Sequence, residues 1–264
     1  MNIFTQELRQ NKVSTIIWTV AMLAIAALYI SIYPSMFSNS DIASVIQNFP
    51  EVLKKSFGIT SDSLSAFPAF YAFLLNLVIL TGALQAMNLG TGITSKEVRD
   101  KTADFLLTKP VSRFNILNQK LLSVVILLIF TNAVFLVAVW GFIQVFIDEP
   151  FQLTAFIRSS MGLLLVQTFF VSLGFLLGAV LPKVKSVIAV SLPTVFGFYI
   201  LGLFDSIIGE EKIRYLTPFR FFDLSNLATG GNYQSGVIIY LALLIILAIS
   251  VSYVVYKKKD IHTI

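Results

Sequence analysis

The sequence predicts an all-α integral membrane protein: six membrane-spanning helices, an amphipathic interface helix ahead of the first, a helical cytoplasmic loop between spans 2 and 3, and short external helices between spans 5 and 6. Three observations carry this. Of the 264 residues, 56% are hydrophobic and only 12% charged, about half the charge of a soluble domain. Six segments are long and apolar enough to cross a bilayer core about 30 Å thick, which takes roughly 20 helical residues. No charged residue lies at the centre of any of them, where one costs about 2.5–3.5 kcal/mol on insertion scales.

Residues 1–14, MNIFTQELRQNKVS, put Ile3, Phe4 and Leu8 on one helical face, with Glu7, Arg9 and Lys12 mostly off it. That is the pattern of a helix lying in the membrane interface. The first span, 16–33, has too long an apolar run for a signal peptide and no A-x-A-like cleavage site after it, so it reads as retained. In 41–58, DIASVIQNFPEVLKKSFG, apolar residues recur at helical spacing on either side of Pro50, as in two short helices on the outer surface. The second span, 67–92, carries Thr81, Gln85 and Asn88 at i, i+4 and i+7, with Asn76 further out. Buried amides in lipid need partners. The stripe therefore faces other helices through hydrogen bonds, or it lines a path and touches substrate; both roles fit the residues.

The third span covers 121–147 and the fourth 156–181. Arg158, near the start of the fourth, can snorkel outward. Gly174 and Gly178 form G-x-x-x-G, which permits close helix approach and is a candidate for a dimer interface. Gln144 and Gln167 are polar but belong to no stripe. The fifth span, 187–204, is interrupted by Pro193, whose freed carbonyl must be satisfied by neighbours. Residues 210–234 contain RYLTPFRFFDLSNLATGG, too aromatic for an idle loop and too polar to span. They read as short helices dipping into the outer leaflet, with Gly230 and Gly231 allowing the return turn. The sixth span covers 236–256.

Orientation follows from the loop charges. With the N-terminus inside, the internal segments hold 13 of the 19 Lys and Arg but only 5 of the 14 Asp and Glu. The positive-inside rule then places both termini in the cytoplasm. The expected location is a plasma membrane, multi-pass, as a single membrane domain over 1–264. The chain has no cysteine, and its one histidine, His262, lies in the C-terminal tail. Disulfides and thiolate metal sites are excluded, no catalytic or metal-binding set is expected, and no nucleic-acid partner is expected.

The longest cytoplasmic segment is out of keeping with the rest. Glu97 to Lys120 reads EVRDKTADFLLTKPVSRFNILNQK. Thr94 and Glu97 have the spacing of a capping box, T-x-x-E. A helix over 95–107 carries Val98, Thr102, Phe105 and Leu106 on one side, with Arg99, Lys101 and Asp104 largely elsewhere. Pro110 disfavours helix at Lys109, and Ser112 can cap a further helix leading into the third span. The residues themselves fit two roles. One is an interface helix packed on lipid headgroups. The other is a docking element whose apolar side chains enter a partner's groove.

At this segment the chain resembles ABC transporter permeases of the ABC-2 type. Their loop between spans 2 and 3 commonly reads as a charged, Glu-containing helix followed by FLLT-x-P-[VI]-S-R; here Phe105 to Arg113 read FLLTKPVSR. MNIFTQELR looks like the family's interface helix, and LTPFRFFD, Leu216 to Asp223, looks like its external segment. The resemblance implies a coupling helix at 95–107 that contacts an ATPase through Glu97, Val98, Arg99, Thr102, Phe105, Leu106, Pro110 and Arg113, with a smaller second contact at Pro182 to Ser186, PKVKS. It implies two permease subunits, identical or not, above two ATPase subunits in a bacterial plasma membrane. It also implies export or extraction of an amphipathic compound such as a peptide, antibiotic or lipid. No Walker A pattern, G-x-x-x-x-G-K-[ST], occurs in the chain, so the chain itself carries no cofactor and is no enzyme, and ATP with magnesium belongs to a separate ATPase polypeptide.

Other classes fit less well. A secondary transporter usually needs carboxylates or histidine within its spans, and none stands at a span centre. A membrane enzyme needs a nucleophile, base or metal cluster, whereas Asp148 and Glu149 lack such partners and read as a solvated outer turn. A sensory or accessory subunit that docks an ATPase would use the same loop.

Overall fold

The computed structural model describes residues 3–38, 66–100, 112–208 and 215–258. Among them all regular structure is helical, and six helices are long and apolar enough to cross a membrane. The chain is therefore a multi-pass membrane protein. The spanning helices are α1 (Ile3–Ser38), α2 (Phe67–Arg99), α3 (Arg113–Phe146), α4 (Leu153–Val180), α5 (Val187–Ile208) and α7 (Ser235–Lys258). A 3-10 turn, Pro218–Arg220, and the short α6, Leu224–Ala228, lie between the last two. Side-chain bonds tie the start of α1 to the end of α2 and the start of α3 to the end of α7, so both ends of the described chain lie on one face, here called the N-terminal face.

All six predicted spans are present, but three are longer than apolarity alone suggests. At 1.5 Å per residue the 36 residues of α1 reach about 54 Å, well beyond a hydrocarbon core of about 30 Å. The expected interface helix at 1–14 is thus not a separate element, because its described part runs unbroken into the first span. The reason is local: no glycine or proline precedes Pro34. Likewise α2 continues through Thr94 and Glu97 to Arg99. The capping box is not one: Thr94 Oγ1 donates back to the Gly90 carbonyl at 2.9 Å, as a threonine inside a helix does. Residues 95–99 close α2, and the Asp100 N–H donates to the Lys96 carbonyl at 2.8 Å. The rest of the helix expected over 95–107, with Thr102, Phe105 and Leu106, lies outside the described residues, as do Pro110 in the turn after it and the outer-surface helices expected over 41–58. Ser112 does cap α3, accepting from the Asn115 N–H at 3.2 Å.

The most extensive packing joins α2 to α4. Between membrane helices there is little hydrophobic drive, so small residues that let backbones approach decide the contact. A Cβ on Gly90 would lie 2.4 Å from the Val171 carbonyl oxygen, one on Gly174 2.7 Å from that of Met87, and one on Gly178 2.9 Å from that of Thr91. The Gly174–Gly178 motif is therefore consumed within the chain, and its expected use between two copies is corrected. Helix α1 packs against α3 and α2. Helices α5 and α7 bury much less, and they present Ile188, Leu192, Ile200, Leu243, Ile246 and Leu247 outward.

On the opposite face, Tyr33, Phe67, Phe70, Tyr71, Phe151 and Phe156 form one aromatic cluster. Glu149 is no idle turn residue. It accepts from the Tyr33 hydroxyl at 2.9 Å and from the Phe67 N–H at 3.1 Å, joining the end of α1 to the start of α2. Arg158 does not simply snorkel: it donates to the Gly230 carbonyl at 3.2 Å. Gly230 sits at φ +97, which glycine adopts readily. Tyr233 donates to the Arg158 carbonyl at 2.6 Å, and burial raises its phenol above the ordinary value, so it keeps the proton it donates.

Candidate functional site

Helix α2 ends and α3 begins on the N-terminal face, and polar groups at these two ends are paired. Lys120 on α3 is fully buried and donates to Glu97 on α2 and, at 2.6 Å, to the Ile93 carbonyl. A lysine in such a place is tolerated only when its charge is matched and its protons are placed. Glu97 is itself buried, and its second oxygen has no partner. One residue earlier, Lys96 donates to both oxygens of Glu7 on α1, at 3.0 and 3.1 Å, and to the Gln10 side chain. Gln119 accepts from the Phe4 N–H at 3.2 Å. On the other side, Arg113 donates to the Lys257 carbonyl at 3.2 Å and the Tyr256 carbonyl at 3.4 Å, at the end of α7. Tyr253 bonds the Asn118 side chain. The start of α1, the end of α2, the start of α3 and the end of α7 are thus joined at one level.

The residues expected to contact a partner divide accordingly. Glu97 points inward to Lys120 and Arg113 holds α7, so both are tied within the chain. Val98 and Arg99 are partly exposed, and Arg99 meets Asp100 at 3.1 Å. Thr102, Phe105, Leu106 and Pro110 lie outside the described residues. In the α4–α5 turn, Val184 is buried while Lys183 and Lys185 are exposed. Sequence reasoning missed Glu7, Lys96 and Lys120. Their partners lie 89 and 23 residues away, and no local spacing signals such a pair.

The polar stripe on α2 splits in the same way. Gln85 is fully buried. It donates to Thr131 at 3.0 Å and accepts from Gln167 at 3.1 Å, and Gln167 accepts from Asn132 at 2.6 Å. Thr19 reaches Thr131 at 3.3 Å. Four helices therefore share one hydrogen-bonded network in the middle of the bundle, and Gln85 binds helices. Gln167, read as an isolated polar residue, is its second centre. Thr81 bonds only the Leu77 carbonyl of its own helix, at 3.2 Å. The Asn88 side-chain oxygen, Oδ1, is buried without a partner.

Among the described residues no cluster of His, Asp or Glu could hold a metal ion. The ends of α2 and α3 on the N-terminal face share a buried ion pair. A family model described as "ABC-2 family transporter protein" matches residues 1–261. No curated protein matches the chain.

Proposed function

We propose a specific role from the premise that the chain belongs to the ABC-2 family of transporter proteins, and is therefore a permease subunit of an ABC transporter: its N-terminal face is cytoplasmic, and the segment between α2 and α3 receives the stroke of a separate ATPase. On this reading two permeases stand over two ATPases, which bind ATP and magnesium and hydrolyse the nucleotide. The cargo is an amphipathic compound moved outward. The bias of basic residues toward the N-terminal face supports the orientation. The observation that carries the proposal is the buried Lys120–Glu97 pair. It fastens the two roots of the segment, so a push on it moves α2 and α3 together and is not absorbed by slack between them.

Phe105 tests the docking. Burying a phenylalanine at an interface is worth about 1.5–3 kcal/mol, and interfaces rest on a few such anchors. Phe105→Asp is expected to weaken ATPase binding by at least about ten-fold, with insertion of the six spans unaffected. Pro110→Ala acts more mildly. Co-purification of the ATPase with each variant, followed by ATP turnover in nanodiscs, measures this. Retained binding and coupled turnover in Phe105→Asp would leave the segment as a lipid-packed element and sink the docking role.

A further inference from the structure

A groove of about 540 Å³ opens on the N-terminal face between the start of α3 and the end of α7. Leu117 and Tyr256 form its buried floor, Phe114, Tyr253 and Val254 its walls, and Arg113 and Lys257 its mouth. We infer that this groove holds an anionic phospholipid of the cytoplasmic leaflet, its acyl chain along the apolar walls and its phosphate at the basic mouth.

Two features select this occupant. The first is where the groove leads. Phe114 is 64% and Val254 54% exposed, and beyond them α3 presents Leu122, Val125 and Ile129 while α7 presents Ile246, Leu247 and Val251. The groove thus runs into apolar surfaces that face the hydrocarbon core unless another spanning helix covers them. Water gains nothing there, and a soluble partner can reach the mouth but not the depth. The second is charge. Among the described residues Glu7, Glu97 and Asp100 are paired with Lys96, Lys120 and Arg99, and no ion pair reaches Lys257 or Lys258. Arg113 spends hydrogen bonds on the Tyr256 and Lys257 carbonyls, which fixes its charge at the mouth that Lys257 shares, with Lys258 next in the chain. Two consecutive lysines and an anchored guanidinium at the end of two spanning helices, above an apolar slot, match a phosphate carrying acyl chains. Basic pockets between spanning helices on the cytoplasmic side attract anionic headgroups in this way, at about 1 kcal/mol per nearby Lys or Arg.

The leaflet rests on the orientation proposed above; the groove does not. The test uses the full-length permease in nanodiscs of phosphatidylcholine carrying a photoactivatable phosphatidylglycerol or, separately, a photoactivatable phosphatidylcholine, with crosslinks mapped by peptide mass spectrometry. Crosslinks at 114–117 and 253–258 are expected to favour phosphatidylglycerol by about 25-fold or more, about five-fold for each lysine. In Lys257→Gln/Lys258→Gln that preference falls by about five-fold per lysine; both side chains are exposed, so the fold is unaffected. Phe114→Ala lowers crosslinking of both lipids. Equal labelling by the two lipids, or a preference unchanged in the double variant, overturns the inference. So does loss of the label to excess glycerol phosphate, which would make the site one for a free phosphate. A disulfide-linked dimer through Phe114→Cys, in a chain with no native cysteine, would assign the groove to a second copy and overturn it too. An outward-facing groove by topology labelling, with the lipid preference intact, would refute the orientation and leave the lipid site standing.

Discussion

Lys120→Met is the sharpest probe of the buried pair. Methionine keeps most of the aliphatic stem and removes only the ammonium. Glu97 then loses the donor on its first oxygen, and its second already has none. Breaking a buried pair by removing one partner typically costs about 3–5 kcal/mol, because the other charge stays in a medium that cannot solvate it. Glu97→Gln is milder, at about 1–3 kcal/mol, since Lys120 keeps the Ile93 carbonyl at 2.6 Å. The double variant Lys120→Met/Glu97→Leu should return to within about 1 kcal/mol of the parent, because apolar groups of similar volume replace buried pairs at little or no cost. Unfolding of the parent, Lys120→Met, Glu97→Leu and the double variant in mixed micelles, followed by the fluorescence of the two tryptophans, gives the four corners of a double-mutant cycle. A double variant as unstable as the sum of its singles, or a Lys120→Met protein as stable as the parent, would refute the pairing. If the pair also transmits the stroke, the double variant folds normally yet turns over ATP without moving cargo.

Gly174→Ala should destabilise by about 1–3 kcal/mol, since its new methyl would sit 2.7 Å from the Met87 carbonyl oxygen and 2.9 Å from the Thr91 nitrogen. Gly141→Ala, with nothing within 4 Å, should be neutral in the same unfolding assay. Gln85→Leu leaves Thr131 and the Gln167 amide short of partners, at a cost of about 1–3 kcal/mol; a changed cargo profile at unchanged stability would instead place Gln85 on the path. Glu149→Ala removes the acceptor shared by Tyr33 and Phe67 and should lower the midpoint of thermal unfolding without affecting ATPase binding.

The spans were legible because a bilayer imposes length and apolarity on every crossing helix, and those are properties of consecutive residues. The helix ends on the N-terminal face were not. Residues 3–15 and 93–99 are amphipathic and charged, so each reads as a separate element, whereas the helix that Ser112 caps is expected to lead into the third span and does. No Gly or Pro interrupts 3–15, and the pairing of Glu7 with Lys96 and of Glu97 with Lys120, which no local pattern signals, adds to the continuation of α1 and α2. The same limit held for glycine. G-x-x-x-G announced a close approach at Gly174 and Gly178, but only the fold shows that α2 of the same chain fills it. Gln85 was visibly a residue in need of partners, and Gln167 was dismissed because its partners sit on other helices.

These contacts share a logic. Polar bonds and close backbone contacts hold membrane helices where apolar burial cannot, and here they grip α2 at three heights. Glu97 and Lys96 bind it at the N-terminal face, Gln85 with Gly82 and Gly90 at mid-depth, and the Phe67 N–H binds Glu149 at the far end. Among the described residues α7 is held by side-chain bonds to α3 only at the N-terminal face, through Arg113 and Tyr253. A helix of 33 residues, about 50 Å long and gripped in this way, bends little and slides little against α1, α3 and α4. Under the proposed function, a stroke delivered beside Asp100 therefore moves these four helices as one body and is felt at the aromatic cluster around Phe67. The give in the bundle falls to the seams with α5 and α7, where burial is least.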